Sequence, residues 1–150
     1  MMRHVWSVLC SKTSIDRASN NVSLFEVLES IQLQTPNALT FPANIPFEAT
    51  FITLWARQDP TQPLRAQTQV RLLAPDGTEL GEFHANIDLE TAPRSRQLTA
   101  LRGLRISGNG NHDFEVSWRH TDAERWQVVA RVPLEVSVTV EAQAPTATQG

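Results

Sequence analysis

The sequence predicts an all-β protein, built as an antiparallel β-sandwich of eight or nine strands with no major helix. Two observations carry this prediction. Apolar and polar residues alternate along several stretches, and turn-forming residues separate these stretches at short intervals. Successive side chains of a strand point to opposite faces, so alternation marks strands with one buried face. The elements below follow from these two signals.

The clearest alternation runs from Trp126 to Val140, where every even position is apolar. A single strand of this length would extend about 50 Å at about 3.3 Å per residue. Pro133 lies within the stretch and has no backbone donor for a ladder. We therefore predict two strands, 126–132 and 134–140, which can belong to different sheets. The same alternation predicts that Trp126 lies on the inward row.

The segment 64–89 predicts a β-hairpin, with two alternating stretches around Asp76-Gly77. This dipeptide is typical of a two-residue turn of the primed type. Pro75 then faces Thr78, and that register fixes which residues of the two strands lie opposite each other. It predicts two outer-face pairs of opposite charge: Arg71 with Glu82, and Arg65 with Asp88.

The first third of the chain predicts further strands. Residues 4–11 are apolar on both faces, as expected for a sheltered strand that contains Trp6, and residues 47–57 read as a central strand. Residues 22–33 are ambiguous, because Ser23 and Glu26 could form the capping box of a helix. We predict strand there, because the neighbouring elements are strands.

The last third predicts a weaker strand over 97–107 and a clearly alternating one over 113–120. Residues 91–96 form the loop before the first of them. Gly103 is a plausible bulge, because the apolar positions change phase around it. Pairing these strands with each other and with the chain's last strand predicts a charged row across three strands: Arg105, Glu115 and Arg131.

Size and composition limit the classes of protein. At 150 residues, the chain predicts one domain over residues 1–141 with a flexible tail over 142–150. A net charge of −3 argues against a nucleic-acid or membrane binder. The lone Cys10 excludes an internal disulfide and reads as a small buried hydrophobe. Without a signal peptide or a long apolar run, the cytoplasm is the expected compartment.

No residue set predicts catalysis or metal binding. The four histidines, His4, His84, His112 and His120, have no spacing that would bring them together around one ion. There is no nucleophile elbow, and the strand acids fall opposite arginines. We therefore expect no enzyme, no cofactor and no metal.

The charged residues fall in two blocks. Residues 75–93 contain five acids and no base, whereas residues 91–112 contain four arginines and no acid. One interpretation is neutralisation across strands. The other is a candidate interaction patch that meets an acidic partner, or the acidic block of a second copy. This patch consists of Arg94, Arg96 and Arg102.

Four segments together resemble a bacterial family of small β-sandwich proteins of unknown function. They are Val8-Leu9-Cys10, residues 21–31, Phe41-Pro42 and Ala74-Pro75-Asp76-Gly77. The resemblance extends from about residue 4 to residue 140, and its motifs are structural. It implies an immunoglobulin-like sandwich and strand for residues 22–33. It implies no activity, so no catalytic residue is transferred.

The leading functional expectation is a non-catalytic protein-interaction or structural module, with a homodimer or another protein as partner. The alternative is a small-ligand or carbohydrate binder that uses the loops 34–46 and 121–125. An enzyme whose site is assembled from residues distant in sequence is the third hypothesis. Nucleic acid and membrane are not expected partners.

Overall fold

A computed structural model describes residues 1–141, so the predicted tail 142–150 lies outside the described residues. This part of the chain forms eleven strands and no helix, which confirms the all-β prediction. The number differs from eight or nine because two predicted strands are each divided between sheets, because the last two predicted strands are one, and because a short strand, Ala43–Ile45, lies within the predicted loop 34–46. The prediction of a loop over the whole of 34–46 is therefore corrected. The strands are β1 (Met2–Ile15), β2 (Val22–Val27), β3 (Ser30–Thr35), β4 (Ala43–Ile45), β5 (Ala49–Arg57), β6 (Leu64–Leu73), β7 (Glu79–Leu89), β8 (Arg94–Leu101), β9 (Leu104–Ile106), β10 (Gly110–Arg119) and β11 (Gln127–Val140).

Three sheets contain these strands. The four-stranded sheet has the order β2-β1-β5-β8, the five-stranded sheet has the order β3-β11-β10-β6-β7, and β4 pairs with β9. All pairs are antiparallel except β3 with β11, which run parallel. The prediction of a purely antiparallel arrangement is therefore wrong at this one edge.

The two large sheets share one hydrophobic core. Phe51 of β5 stacks on Phe114 of β10 with ring centroids 5.2 Å apart. Phe83 of β7 meets the Phe51 ring edge-on, with centroids 6.0 Å apart. Trp55 and Trp118 are also buried, as predicted. Aromatic rings of this size supply much of the burial that holds two sheets together.

A buried amide also joins the two large sheets. Gln97 of β8 accepts two hydrogen bonds at its Oε1 atom, from Trp55 Nε1 at 3.3 Å and from Thr68 Oγ1 at 2.8 Å. Thr68 is fully buried on β6. A buried donor without a partner costs free energy, so this oxygen satisfies the Trp55 indole and shares the Thr68 hydroxyl with the Ala85 carbonyl, which lies 3.3 Å from it.

The β6–β7 hairpin closes with a different turn from the predicted one. The amide of Gly77 donates to the carbonyl of Ala74 at 2.8 Å, and the amide of Ala74 donates to Thr78, also at 2.8 Å. Gly77 has a φ of 88°, whereas Asp76 is not among the residues with positive φ. The turn therefore has type I character with a glycine bulge, because Pro75 presets the φ that its second position needs.

The predicted register of this hairpin is nevertheless confirmed along the strands. Arg65 lies opposite Asp88, and Arg71 lies opposite Glu82. A register shift next to Leu73 absorbs the difference between the two kinds of turn. Only the first pair forms an ion pair, with Arg65 Nη2 3.8 Å from Asp88 Oδ2.

Replacing Gly77 by alanine should lower the free energy of unfolding by about 1–2 kcal/mol. An added Cβ meets no atom within 4 Å, so the cost comes from the positive φ alone. Gly81 of β7 is the control, because its Cβ also enters open space and its φ is ordinary. Urea denaturation of both variants checks this, and an equal effect of the two substitutions would contradict it.

β11 is one continuous strand, so the predicted division at Pro133 is wrong. Pro133 lies opposite Asp113 of β10, in a part of the ladder that pairs regularly from Gly110 to Val116. The Glu135 amide donates to the carbonyl of Glu29, just before β3, so the nitrogen of Pro133, two residues earlier, points to the same side. β3 has not yet begun there, and its pairing starts at Ser30. The missing donor therefore falls on an open edge, where it costs nothing.

Trp126 lies on the outer face, which corrects its predicted inward position. The register between β10 and β11 shifts between Val116 and Ser117, which reverses the alternation at the beginning of β11. Val128 is consequently 48% exposed. Trp126 packs outside under the Arg119 guanidinium, whose Cζ lies 4.1 Å from its ring centroid.

Residues 97–107 form two strands in different sheets, which corrects the prediction of one strand paired with 113–120. β8 pairs with β5, and β9 pairs with β4. Gly103 lies in the connection between β8 and β9 and not in a bulge. Arg105 lies opposite Asn44, so it cannot join the predicted charged row. The observed row replaces it with another arginine: Arg71, Glu115 and Arg131.

Residues 22–33 are strand, as predicted, but they belong to both large sheets. β2 pairs with β1, and β3 pairs with β11. The break between them falls at Leu28 and Glu29, where the Leu28 amide donates to the carbonyl of Leu9 at 2.8 Å. The chain therefore crosses from one sheet to the other within this segment.

Candidate functional site

The outer face of the four-stranded sheet carries an unusual number of apolar side chains. Odd positions of β5, such as Phe51, enter the core, so even positions point outward. Val8 and Leu98 lie opposite Ile52 on either side, which makes an apolar row across three strands. We call this surface the open face, and define it by Trp6, Val8, Cys10, Phe25, Val27, Ile52, Leu54 and Leu98.

The centre of the open face is shielded and its rim is not. Ile52 and Cys10 are fully buried, although they point away from the core. Phe25, Val27 and Leu98 are 44%, 54% and 41% exposed. Several exposed large apolar side chains around a packed apolar centre are typical of interaction sites on soluble domains.

The open face belongs to a sheet that is strongly basic. The four-stranded sheet has five basic residues and one acidic residue in its strands, whereas the five-stranded sheet has four basic and six acidic residues. A net charge of −3 conceals this separation. The charged residues of the four-stranded sheet are Arg3, Lys12, Arg57, Arg94, Arg96 and Glu26. Those of the five-stranded sheet are Arg65, Arg71, Arg119, Arg131, Glu79, Glu82, Asp88, Asp113, Glu115 and Glu135.

The pairing of these charges differs in the same way. All four arginines in the strands of the five-stranded sheet have a carboxylate within 4.0 Å. In residues 1–141, no basic residue in the strands of the four-stranded sheet forms such an ion pair. The arginines of the five-stranded sheet therefore all have carboxylate partners, and the basic residues of the four-stranded sheet have none among residues 1–141.

A groove of about 480 Å³ opens at one end of the open face, and we call it the Trp6 groove. Trp6, Leu54 and Arg96 lie opposite one another on neighbouring strands. The loop between β1 and β2 lines the groove as well. The lining residues are Trp6, Ser19, Asn20, Asn21, Val22, Leu54, Arg94, Ser95 and Arg96.

The loop that lines the groove is held by its own hydrogen bonds. The Asn20 amide donates to the Asp16 carbonyl at 2.8 Å, and the Asp16 amide donates to the Asn21 carbonyl at 2.9 Å. The Asp16 side chain also accepts from the Ala18 amide at 2.8 Å. Asn20 has a φ of 59°, a left-handed conformation that asparagine tolerates. This part of the groove is therefore preformed.

The structure brings together two residues of the predicted patch. Arg94 and Arg96 lie in β8, not in the predicted loop 91–96, and both line the groove. Arg96 Nη2 donates to Asn20 Oδ1 at 2.8 Å, whereas Arg94 is exposed and its side chain has no hydrogen-bond partner in residues 1–141. Arg102 follows β8 and does not line the groove.

Sequence reasoning missed the other members of the groove. Trp6 was expected to be sheltered on both sides, but it is only half-buried on the outer face. A register shift between His4 and Trp6 sets this orientation. Asn20 lies in a polar segment whose sequence does not indicate that it folds beside β8.

A second concavity, of about 290 Å³, contains Asp122 from the loop 121–125. Its polar groups already satisfy one another. Gln67 Nε2 donates to Asp122 Oδ1 at 2.5 Å, and Arg119 Nε donates to Gln67 Oε1 at 2.7 Å. Arg119 also covers one face of Trp126. The loop 34–46 lines neither this concavity nor the Trp6 groove.

The histidines have structural partners and do not converge. His4 bonds to Ser7, and burial lowers its pKa. His112 is fully buried, accepts the Ser107 amide at Nε2 and lies 3.2 Å from the Gly110 carbonyl at Nδ1. Across residues 1–141, no three histidine, cysteine, aspartate or glutamate side chains gather in a way that could hold a metal ion.

Cys10 is fully buried, as predicted. Its thiol donates to the Thr50 carbonyl at 3.7 Å, and burial raises its pKa. A raised pKa keeps the sulfur protonated and weakly nucleophilic. The described part of the chain contains no helix that is long and apolar enough to cross a membrane.

The comparisons with known proteins add no family to these observations. The sequence matches no protein-family model, and no curated protein matches it.

Proposed function

We propose that this chain is a non-catalytic protein-interaction module, and that the open face docks an acidic segment of a partner protein. The observation that carries the proposal is the unneutralised charge of this face. Exposed apolar side chains supply burial on docking, while Arg94 and Arg96 supply positive potential beside them. Complementary charge around an apolar contact gives orientation and specificity.

The opposite face supports the proposal by contrast. The five-stranded sheet covers its outer side with ion pairs and hydrogen bonds, including the row of Arg71, Glu115 and Arg131. The charged side chains in that row therefore have partners within the protein. The open face combines exposed apolar side chains with arginines that lack carboxylate partners in residues 1–141. This combination favours the binding of an acidic partner protein.

A different protein fits the open face better than a second copy of this chain. The acidic block on β7 would have to be the complementary surface of that copy. Three of the five carboxylates in the acidic block already have partners: Asp88 and Glu90 contact Arg65, and Glu82 contacts His84. Their attraction for another molecule's arginines is reduced accordingly. A second copy of this chain is therefore the less favoured partner for the open face.

The small-ligand alternative has less support. Of its two loops, only 121–125 contributes to a described concavity, and the hydrogen bonds there are made within the protein. We further infer that the two large sheets form an immunoglobulin-like sandwich, as the family resemblance implies. A buried lone thiol at Cys10 fits the reducing cytoplasm, which we propose as the compartment.

Substituting Leu98 by glutamate should abolish partner binding, whereas Val128→Glu should leave it intact. Leu98 and Val128 are similarly exposed at 41% and 48%, but they lie on the outer faces of opposite sheets. A charge that becomes buried within a docking surface is costly, and an added glutamate repels an acidic partner. The measurement is quantitative mass spectrometry of proteins that co-purify with each variant from the native cell.

The wild-type chain and Val128→Glu should retain one or a few acidic proteins that Leu98→Glu loses. Circular dichroism must show the same thermal unfolding for both variants, so that binding is compared between folded proteins. Identical sets of co-purified proteins for both variants would contradict the docking proposal. A wild-type chain that retains no protein at all would contradict it as well.

A further inference from the structure

We propose that the Trp6 groove is a carboxylate site, which receives the acidic side chain of a docked segment between the guanidinium groups of Arg94 and Arg96. This inference rests on the proposed docking function and specifies the chemistry that the open face recognises. It concerns one end of that face, whereas the docking proposal concerns the whole surface.

The arrangement of the two arginines favours an anion. Arg94 lies opposite Ala56, and Arg96 lies opposite Leu54, so the two outward side chains are neighbours two residues apart on one strand. Arg3 lies opposite Ala56 from the other side. The described residues place no carboxylate within 4.0 Å of any of these three arginines. Two like charges held side by side are stabilised when an anion binds between them.

The guanidinium N–H groups of Arg94 and Arg96 that have no acceptor in residues 1–141 favour a carboxylate as the ligand. One guanidinium is fixed, because Arg96 already donates to Asn20 Oδ1 at 2.8 Å. The other belongs to Arg94, which is exposed and can move toward a ligand. A planar guanidinium matches the two oxygens of a carboxylate in one plane. A fixed donor next to an adjustable one limits the entropy that binding must overcome.

The floor of the groove favours an apolar neighbour of that carboxylate. Trp6, Val22 and Leu54 line the groove and are each half-buried, so they leave apolar area in contact with water. The volume of about 480 Å³ falls within the range of about 300–1,000 Å³ seen for small-ligand sites. An acidic side chain beside an aliphatic one satisfies both parts of the groove.

The probes for this site are two tripeptides with blocked ends, acetyl-Leu-Glu-Leu-amide and acetyl-Leu-Gln-Leu-amide. They differ only in the charge of the central side chain. NMR titration would follow the guanidinium Nε–H signals of Arg94 and Arg96 and the indole N–H of Trp6. The glutamate peptide should bind about tenfold more tightly than the glutamine peptide, because charge-assisted hydrogen bonds are the stronger ones.

The variants R96Q and R94Q should each remove most of this tenfold preference. R102Q is the matched control, since Arg102 belongs to the same stretch of sequence but does not line the groove. Equal affinity for the two peptides, or shifts confined to residues outside the groove, would overturn the carboxylate site. So would a phosphoserine peptide that binds more tightly than the glutamate peptide, because it would assign the groove to phosphate.

These outcomes are separable from the docking proposal. If Leu98→Glu abolishes partner binding and the two peptides bind equally, the open face docks a protein without a carboxylate site. If the peptides discriminate and Leu98→Glu leaves every co-purified protein in place, the carboxylate site stands and the docking proposal fails.

Discussion

Replacing Phe51 by alanine should lower the free energy of unfolding by about 3–5 kcal/mol. Phe51 is fully buried at the contact between the two large sheets, where it stacks on Phe114 and meets Phe83 edge-on. Removal of the ring therefore loses its burial and opens a cavity between sheets. Two-state urea denaturation at neutral pH measures the loss.

The control is Phe25→Ala on β2. This phenylalanine is 44% exposed on the open face and contributes nothing to the shared core. Its removal should change the free energy of unfolding by less than about 1 kcal/mol. If the two variants lost the same stability, the two large sheets could not share the core that these contacts describe.

Replacing Glu115 by glutamine should cost about 1.5–3 kcal/mol at neutral pH. Its side chain is 4% exposed and bridges Arg71, with Oε1 to Nη2 at 2.7 Å, and Arg131, with Oε2 to Nη2 at 3.1 Å. The amide keeps the shape but removes the charge that both guanidinium groups face. The loss stays moderate, because the Arg71 and Arg131 side chains are 37% and 61% exposed and water can solvate them.

The stability supplied by Glu115 should also disappear in acid. Burial opposes ionisation of this carboxyl, but the hydrogen bonds and charges of Arg71 and Arg131 outweigh it and lower its pKa. A lowered pKa stabilises the fold above the unfolded-state value of about 4.3, and this contribution is lost as the pH falls through the folded-state pKa. The difference between wild type and Glu115→Gln should therefore shrink toward about pH 3.

Glu135→Gln is the control for this pH series. Glu135 is exposed on β11, and it forms no ion pair with residues 1–141. Its substitution should leave the stability difference small at every pH. Urea midpoints of the three proteins across the pH range provide the measurement. A Glu115→Gln difference that grows in acid would contradict the assigned direction of the pKa.

The parts of the fold that sequence predicted correctly are those fixed by nearby residues. In the β6–β7 hairpin, alternation and a short turn determined the register, so Arg65 lies opposite Asp88 although the turn has a different geometry. The prediction of strand for residues 22–33 is also confirmed, although the segment divides between the two large sheets. Short range pairing leaves few alternatives, and a slip by one residue would expose the apolar row.

The parts that failed depend on which sheet a strand joins. Alternation in residues 97–107 marks strand, but nothing local states that Gln97 belongs beside Thr53 and Arg105 beside Asn44. The prediction of a strand break at Pro133 was wrong for a different reason, because a proline whose nitrogen faces an open edge does not interrupt a strand. Both errors arise from neighbours that are distant in sequence.

The candidate site was predicted in part for a related reason. A block of basic residues without acids identified Arg94 and Arg96, because charge composition is visible in sequence. The same block included Arg102, which the end of β8 separates from the other two. Trp6 and Asn20 could not be added, because their places beside β8 depend on the order of strands in the four-stranded sheet.

The parallel pairing of β3 with β11 has a consequence for synthesis of the chain. Residues 30–35 cannot pair in the five-stranded sheet until residues 135–140 have left the ribosome. Hairpins such as β6–β7 join residues that are close in sequence and form early, whereas this pairing joins Ser30 to Glu135 and forms later. Until then β3 has no partner strand. An unpaired strand can associate with other chains, and chaperones limit such association during synthesis.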